Sequence, residues 1–245
     1  MRNYKITIQY DGTRYKGWQV LTSSDMTIQG KLQNILSRLA GEQIDVIGSG
    51  RTDAGVHAKG QVANFHIKNN ISTVQIMETF NKYLPDDISV TDIKEVPDRF
   101  HARYNAVSKT YTYYINTAPK ADVFNQRFQY HYGKKLDVQA MKAAASDIIG
   151  THDFTSFCGN SHFKKSAERT ISDITITAND NLIAISYSGD GFLQNMVRIM
   201  TGTLIEVGNG SRDANSIAKL IELKDRSAAG YTAPPQGLFL EQVMY

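Results

Sequence analysis

The residues best suited to chemistry fall in one stretch, Gly48-Ser49-Gly50-Arg51-Thr52-Asp53-Ala54-Gly55-Val56-His57-Ala58. Four glycines lie between Gly48 and Gly60, so the backbone there bends repeatedly or is approached closely. At the centre stand a guanidinium, a hydroxyl and a carboxylate, from Arg51, Thr52 and Asp53. Nucleophilic catalysis needs an ionised carboxylate held rigidly. A neighbouring arginine favours that form, and the glycines let a substrate come close. A tight turn capped by its Asp accounts for the same three residues without chemistry. A phosphate loop fits less well. There is no G-x-x-x-x-G-K-[ST] string, and Gly55 and Gly60 work against a helix N-terminus that would receive a phosphate. The stretch holds one carboxylate, so the acid–base pair of an ordinary glycosidase is missing from it.

The elements that must position this loop are legible from periodicity. Tyr4, Ile6, Ile8 and Tyr10 alternate with polar residues and predict a half-buried strand. Ile28, Leu32, Ile35, Leu36 and Leu39 have helical spacing, with Thr27 as N-cap and Gly41 as stop. A short strand is expected over Ile44–Ile47, then the glycine-punctuated loop to Gly60, then a strand over Val62–Ile67. Val74, Met77, Phe80 and Leu84 predict a helix that ends before Pro85, and Ile88–Val96 a returning strand.

The second half repeats that order. It has a Tyr-rich strand over Thr110–Asn116 and a helix capped by Asp137 with Gly150 after it. A hairpin is expected around Asn179-Asp180-Asn181. Then come a long helical stripe from Phe192 to Val207, a shorter helix at Ile217, Leu220 and Ile221, and a last strand over Leu238–Met244. The expectation is an α+β chain of two ferredoxin-like β-α-β-β-α-β halves, 1–104 and 105–245, joined into one extended, mostly antiparallel sheet flanked by helices.

Composition narrows the function classes. The 245 residues are 41% hydrophobic and 10% aromatic, which excludes wholesale disorder. Lys plus Arg is 27 and Asp plus Glu is 24, a net charge of +3; this permits a nucleic-acid partner without requiring one. Cys158 is the one cysteine, so neither a disulfide framework nor a thiolate-rich metal site can be built within the chain. No two of the six histidines form an H-E-x-x-H pair, and no metal is expected. No apolar run approaches the ~18 residues of a membrane helix, and Met1-Arg2-Asn3-Tyr4 lacks a signal-peptide stretch. A cytoplasmic location is therefore expected.

The string G-R-T-D-A-G-V-H-A at Gly50 to Ala58 resembles the signature of the tRNA pseudouridine synthase A (TruA) family. Further matches follow in order along the chain: Tyr10-Asp11-Gly12-Thr13 with Gly17-Trp18-Gln19, Thr27-Ile28-Gln29-Gly30, Leu84-Pro85-Asp86-Asp87-Ile88, Phe100-His101-Ala102-Arg103, Lys109-Thr110-Tyr111, Phe192 through Arg198, and Ala233 through Leu238. The family's fold is the doubled unit derived above.

The resemblance implies isomerisation of uridine to pseudouridine in the anticodon stem-loop of tRNA, at the nucleotides numbered 38, 39 and 40, by a homodimer and without cofactor or metal. It makes Asp53 the essential carboxylate, with addition at C1′, addition at uracil C6 and proton removal from C2′ all open as its role. Tyr111 would stack on the uracil; a core tyrosine is the plain alternative, and Tyr113 and Tyr114 fit that better. Arg198 would keep Asp53 ionised. Arg51 would hold the space of the flipped nucleotide or a phosphate. Base flipping is then part of the reaction, with Arg14, Lys16 and Trp18, and Lys164, Lys165 and Arg169, as candidates for the RNA path. His57 and His101 read as structural. The alternatives from other classes are a non-catalytic RNA-binding module or tRNA chaperone on the same fold, and a relative within the family with a different RNA target.

Overall fold

Period-two alternation in the first ten residues becomes β1 (Arg2–Tyr10), with Tyr4, Ile6 and Ile8 fully buried. Leu32, Leu36 and Ala40 make the inner face of α1 (Ile28–Ala40), one turn apart each time. The Thr27 hydroxyl accepts the Gly30 N–H at its start, and Gly41 closes it at φ 70°. Then follow β2 (Ile47–Gly48), β3 (His57–Ile67), α2 (Thr73–Tyr83) and β4 (Ile88–Val96). The computed structural model describes residues 1–160 and 166–245. It divides them into two compact units, Met1–Val107 with Phe239–Tyr245, and Ser108–Leu238.

In the first unit β1 is antiparallel to both β3 and β4, and β2 is antiparallel to β3. The order β4-β1-β3-β2, with α1 and α2 between the strands in sequence, is the ferredoxin-like arrangement. Tyr4 and Phe65, cross-strand partners, stack with centroids 5.6 Å apart. Three expectations need correction here. The strand expected over Ile44–Ile47 pairs only at Ile47–Gly48, although Ile44 and Val46 are buried. β3 begins at His57 rather than Val62, which shortens the loop before it. On α2 the buried residues are Ile76 and Phe80, while Val74 is 63% exposed. A capping box of Ser72 and Gln75 sets the start of that helix.

The second unit carries β5 (Ser108–Asn116), β6 (Tyr130–His131), α3 (Val138–Ser146), β7 (Gly150–Asp153), β8 (Glu168–Asn179), β9 (Leu182–Gly189), α4 (Met196–Gly208) and α5 (Ile217–Leu223). Its strands run in the order β5-β9-β8-β7, each pair antiparallel. The hairpin forms where expected. Asn179 faces Leu182, and Asp180 takes φ 50° in the turn. β6, parallel to β5, and β7 are strands that periodicity does not reveal. α4 starts at Met196, so Phe192 lies outside the helix; Asn195 at φ 59° breaks the backbone between them. The chain ends with β10 (Leu238–Met244), whose Phe239 and Leu240 run parallel to His57 and Ala58 of β3. β3 starts early because its first residues pair on both sides, Ala58 with Tyr10 of β1 and His57 and Ala58 with β10. Among the described residues no helix is long and apolar enough to cross a membrane. The chain is thus α+β and mostly antiparallel.

Candidate active site

The backbone between β2 and β3, Ser49 to Val56, has no regular structure of its own beyond a turn, in which the Val56 N–H donates to the Asp53 carbonyl at 3.2 Å. Its form comes from what grips it. At its start the Ser49 N–H donates to the Val62 carbonyl at 2.7 Å. The Ser49 hydroxyl donates to Gln61 Oε1 at 2.7 Å, and Gln61 Nε2 donates to the Gly50 carbonyl at 3.2 Å. In the middle, Thr52 Oγ1 lies 2.9 Å from the Tyr10 hydroxyl, and the Trp18 N–H donates to the Thr52 carbonyl at 3.0 Å. Beyond Asp53, the Gly55 N–H donates to the Tyr15 carbonyl at 3.3 Å. Asp53 is half-buried, Arg51 exposed and Thr52 buried. The loop therefore offers a carboxylate on a fixed backbone with a cation two residues before it, an arrangement suited to nucleophilic or general-base work.

The first loop, Asp11 to Trp18, lies against this one. Gly17 sits at φ 98°, and a Cβ there would come within 2.7 Å of the Thr52 carbonyl oxygen; only glycine allows that approach. His57 Nδ1 accepts the Gly12 N–H at 3.0 Å and lies 3.2 Å from Asp11 Oδ1. Its ring stacks on Phe239 at 4.6 Å. The imidazole thus joins first loop, β3 and β10 as a structural group.

Arg14, Lys16 and Trp18 are differently placed. Arg14 reaches Asp87 Oδ2 through Nε at 2.8 Å, and the Tyr15 hydroxyl donates to Asp87 Oδ1 at 2.6 Å. Lys16 is exposed. Trp18 is 3% exposed, its ring so close to Gly48 that a Cβ there would meet the indole at 2.6 Å. It forms the floor under the loop and does not present a face to solvent. His101 Nδ1 accepts the N–H groups of Arg103 and Tyr104, which fixes its own turn.

In the second unit Tyr111 lies on β5, 7% exposed, with Phe192 edge-on at 5.1 Å. Tyr113, on the same face of the strand, is fully buried and donates to the Pro234 carbonyl at 2.7 Å; burial pushes its hydroxyl well above the ordinary tyrosine range. Arg198 is half-buried in the first turn of α4. Its Nε donates to the Ala233 carbonyl at 2.7 Å and a terminal nitrogen donates to Asn195 Oδ1 at 2.8 Å. Arg169 on β8 bonds the Ser166 carbonyl at 3.0 Å. Lys164 and Lys165 lie outside the described residues. Among the described residues no group of three or more His, Cys, Asp or Glu side chains could hold a metal ion.

Three residues of this site do not stand out in the sequence as chemistry: Tyr10, Ser49 and Gln61. Tyr10 reads as a member of the core strand, and Ser49 only as a member of the loop. Gln61 carries the available signal: an amide beside Val62, Ala63 and Phe65, buried among them, must find polar partners.

The family model described as tRNA pseudouridine synthase matches residues 6–105 and 144–245. Over all 245 residues, covering both chains completely, the chain is 50% identical to tRNA pseudouridine synthase A of Bacillus sp. (strain KSM-64). With the same full coverage it is 46% identical to tRNA pseudouridine synthase A 2 of Bacillus cereus and 43% identical to tRNA pseudouridine synthase A of Acetivibrio thermocellus. The chain belongs to the tRNA pseudouridine synthase family.

Proposed function

We propose that the chain converts uridine to pseudouridine in the anticodon stem-loop of tRNA, at nucleotides 38, 39 and 40, with Asp53 as the catalytic carboxylate. Family membership supports the reaction. The observation that carries it on this chain is the loop of irregular backbone, pinned from β1 and β3, on which Asp53 stands. The N1–C1′ bond breaks, the uracil turns in place and a C5–C1′ bond forms. The C5 proton leaves and N1 gains one, so atoms balance and no co-reactant is consumed. The departing uracil is a delocalised anion, which removes the need for a second carboxylate as strong acid.

The uridine leaves its stack before Asp53 reaches it. Arg51, exposed two residues from Asp53, fills the vacated space or holds a phosphate. Tyr111 stacks on the uracil and assists removal of the C5 proton. Arg198, held in the first turn of α4, keeps the carboxylate ionised in a poorly solvated site. Lys16, Arg14, Arg169, Lys164 and Lys165 form the phosphate path, and Trp18 supports the loop from below. A tRNA is large against a chain of 27.3 kDa, and two copies acting together in the cytoplasm complete the reading.

The test is Asp53→Asn, which keeps shape and removes the charge. Conversion of uridine should vanish while tRNA affinity survives. Turnover near the wild-type rate would remove Asp53 from the chemistry.

A further inference from the structure

Under the Asp53 loop runs a buried polar chain that the reaction itself does not call for. Gln61 on β3 is 0% exposed, Tyr10 at the end of β1 is 5% and Thr52 is 6%. Gln61 Oε1 accepts from the Ser49 hydroxyl at 2.7 Å and from the Val62 N–H at 3.1 Å. Its Nε2 donates to the Gly50 carbonyl at 3.2 Å and lies 3.5 Å from the Tyr10 hydroxyl. That hydroxyl lies 2.9 Å from Thr52 Oγ1. Two side chains rooted in regular strands thus hold Ser49, Gly50 and Thr52, and the next residue is Asp53. Burial pushes the Tyr10 hydroxyl up to about 12, so it stays protonated at neutral pH and the contact remains a bond between neutral groups.

Stability alone does not explain this chain. Apolar residues of similar shape could fill the same volume without desolvating an amide and three hydroxyls. A satisfied buried network specifies one arrangement of the backbone it joins. We infer that Tyr10, Gln61 and Thr52 are positioning residues for the Asp53 carboxylate: they set where it stands without touching RNA. The inference rests on the reading of Asp53 as the catalytic carboxylate. All three side chains are buried with their polar atoms bonded to one another or to the loop, so their effect passes through the loop.

Tyr10→Phe and Thr52→Val each remove one oxygen and keep the shape. Single-turnover rate at saturating enzyme, tRNA affinity and melting temperature are measured for both, beside Thr52→Ser, the Tyr10→Phe/Thr52→Val double variant and Asp53→Asn. Both single variants should slow conversion by about tenfold or more with affinity kept within about twofold, because a misplacement of ~1 Å costs up to about 10²-fold in rate. Thr52→Ser should keep the wild-type rate. The double variant should be no slower than the slower single one, since both substitutions remove the same hydrogen bond.

Wild-type rates in Tyr10→Phe and Thr52→Val would overturn the inference. So would a parallel loss of rate, affinity and melting temperature, which marks a merely structural role. If Tyr10→Phe does not fold, Thr52→Val against Thr52→Ser carries the comparison, since Tyr10 is then whole. Asp53→Asn separates the two claims. If it is active, the carboxylate assignment fails whatever the other variants do. If it is inactive while Tyr10→Phe and Thr52→Val run at the wild-type rate, only the positioning inference fails.

Discussion

Asp53 and Arg198 are held by opposite means. Asp53 stands on irregular backbone, held by a turn of its own and by contacts from elsewhere in its unit: Tyr10 of β1, Gln61 of β3, and the Gly17 and Trp18 backbone of the first loop. Arg198 stands on the first turn of α4, where the helix itself fixes the backbone. Its guanidinium donates to Asn195, three residues earlier, and to the Ala233 carbonyl, 35 positions on, and the Ala233 N–H returns a bond to the Arg198 carbonyl at 3.1 Å. A loop residue depends on many distant contacts, each able to shift it. A helix residue has its backbone set by the helix's own hydrogen bonds. The loop should therefore be the more fragile of the two.

The severest test of that contrast is Gly17→Ala. The residue is held at φ 98°, and the added methyl meets the Thr52 carbonyl oxygen. The left-handed backbone alone costs about 1–2 kcal/mol, and the clash adds to it. Melting temperature should fall, and single-turnover rate should drop further than stability explains, because the displaced atoms adjoin Asp53. A stable, fully active Gly17→Ala would show that the loop is not held as described.

A smaller effect is expected at Tyr111. Tyr111→Phe should bind tRNA as the wild type does and convert it more slowly, if the hydroxyl helps move the C5 proton; Tyr111→Ala should lose both. Wild-type behaviour of both would leave the tyrosine a packing residue against Phe192.

Smaller again is Asn195→Ala, which removes one acceptor from Arg198 and places a non-glycine without a polar side chain at φ 59°. A loss of about 1–2 kcal/mol is expected on denaturant titration. The fall in rate should be milder than for Gly17→Ala, because α4 and the Ala233 carbonyl still hold the guanidinium. An equal or greater fall would reverse the comparison.

The smallest effect belongs to the surface. Lys16→Ala should flatten the plot of log affinity against log salt by somewhat less than one unit, as removal of a single cation from one phosphate requires, at unchanged single-turnover rate. Arg14→Ala should flatten it less, since Asp87 already shares its charge. Equal slopes for wild type and Lys16→Ala would move the RNA path elsewhere.

The features legible in the sequence have local causes. β1, the Thr27 and Gly41 ends of α1, the Asp137 cap and the β8–β9 hairpin are set by neighbours a few residues away. The loop at Asp53 stands out because its glycines and its Arg-Thr-Asp core are adjacent. The features that stay hidden join distant residues. Tyr10 finds Thr52 42 positions on, and Gly12 finds His57 45 positions on. The early start of β3 depends on Tyr10, well before it, and on Phe239 and Leu240, far down the chain. Trp18 reads as an exposed platform because its neighbours are charged and a loop has no period to reveal which side chains turn inward; the structure puts it beneath Gly48. Arg14 reads as a phosphate ligand because its partner Asp87 is 73 residues away.

Formation of pseudouridine in the anticodon arm of tRNA by this chain can be read directly by mapping the product. Unmodified tRNA is incubated with the protein, treated with carbodiimide and read by reverse transcription. New stops should mark nucleotides 38, 39 and 40 and should be missing with Asp53→Asn. A tRNA that the protein binds but leaves without a single new stop would refute the proposed activity.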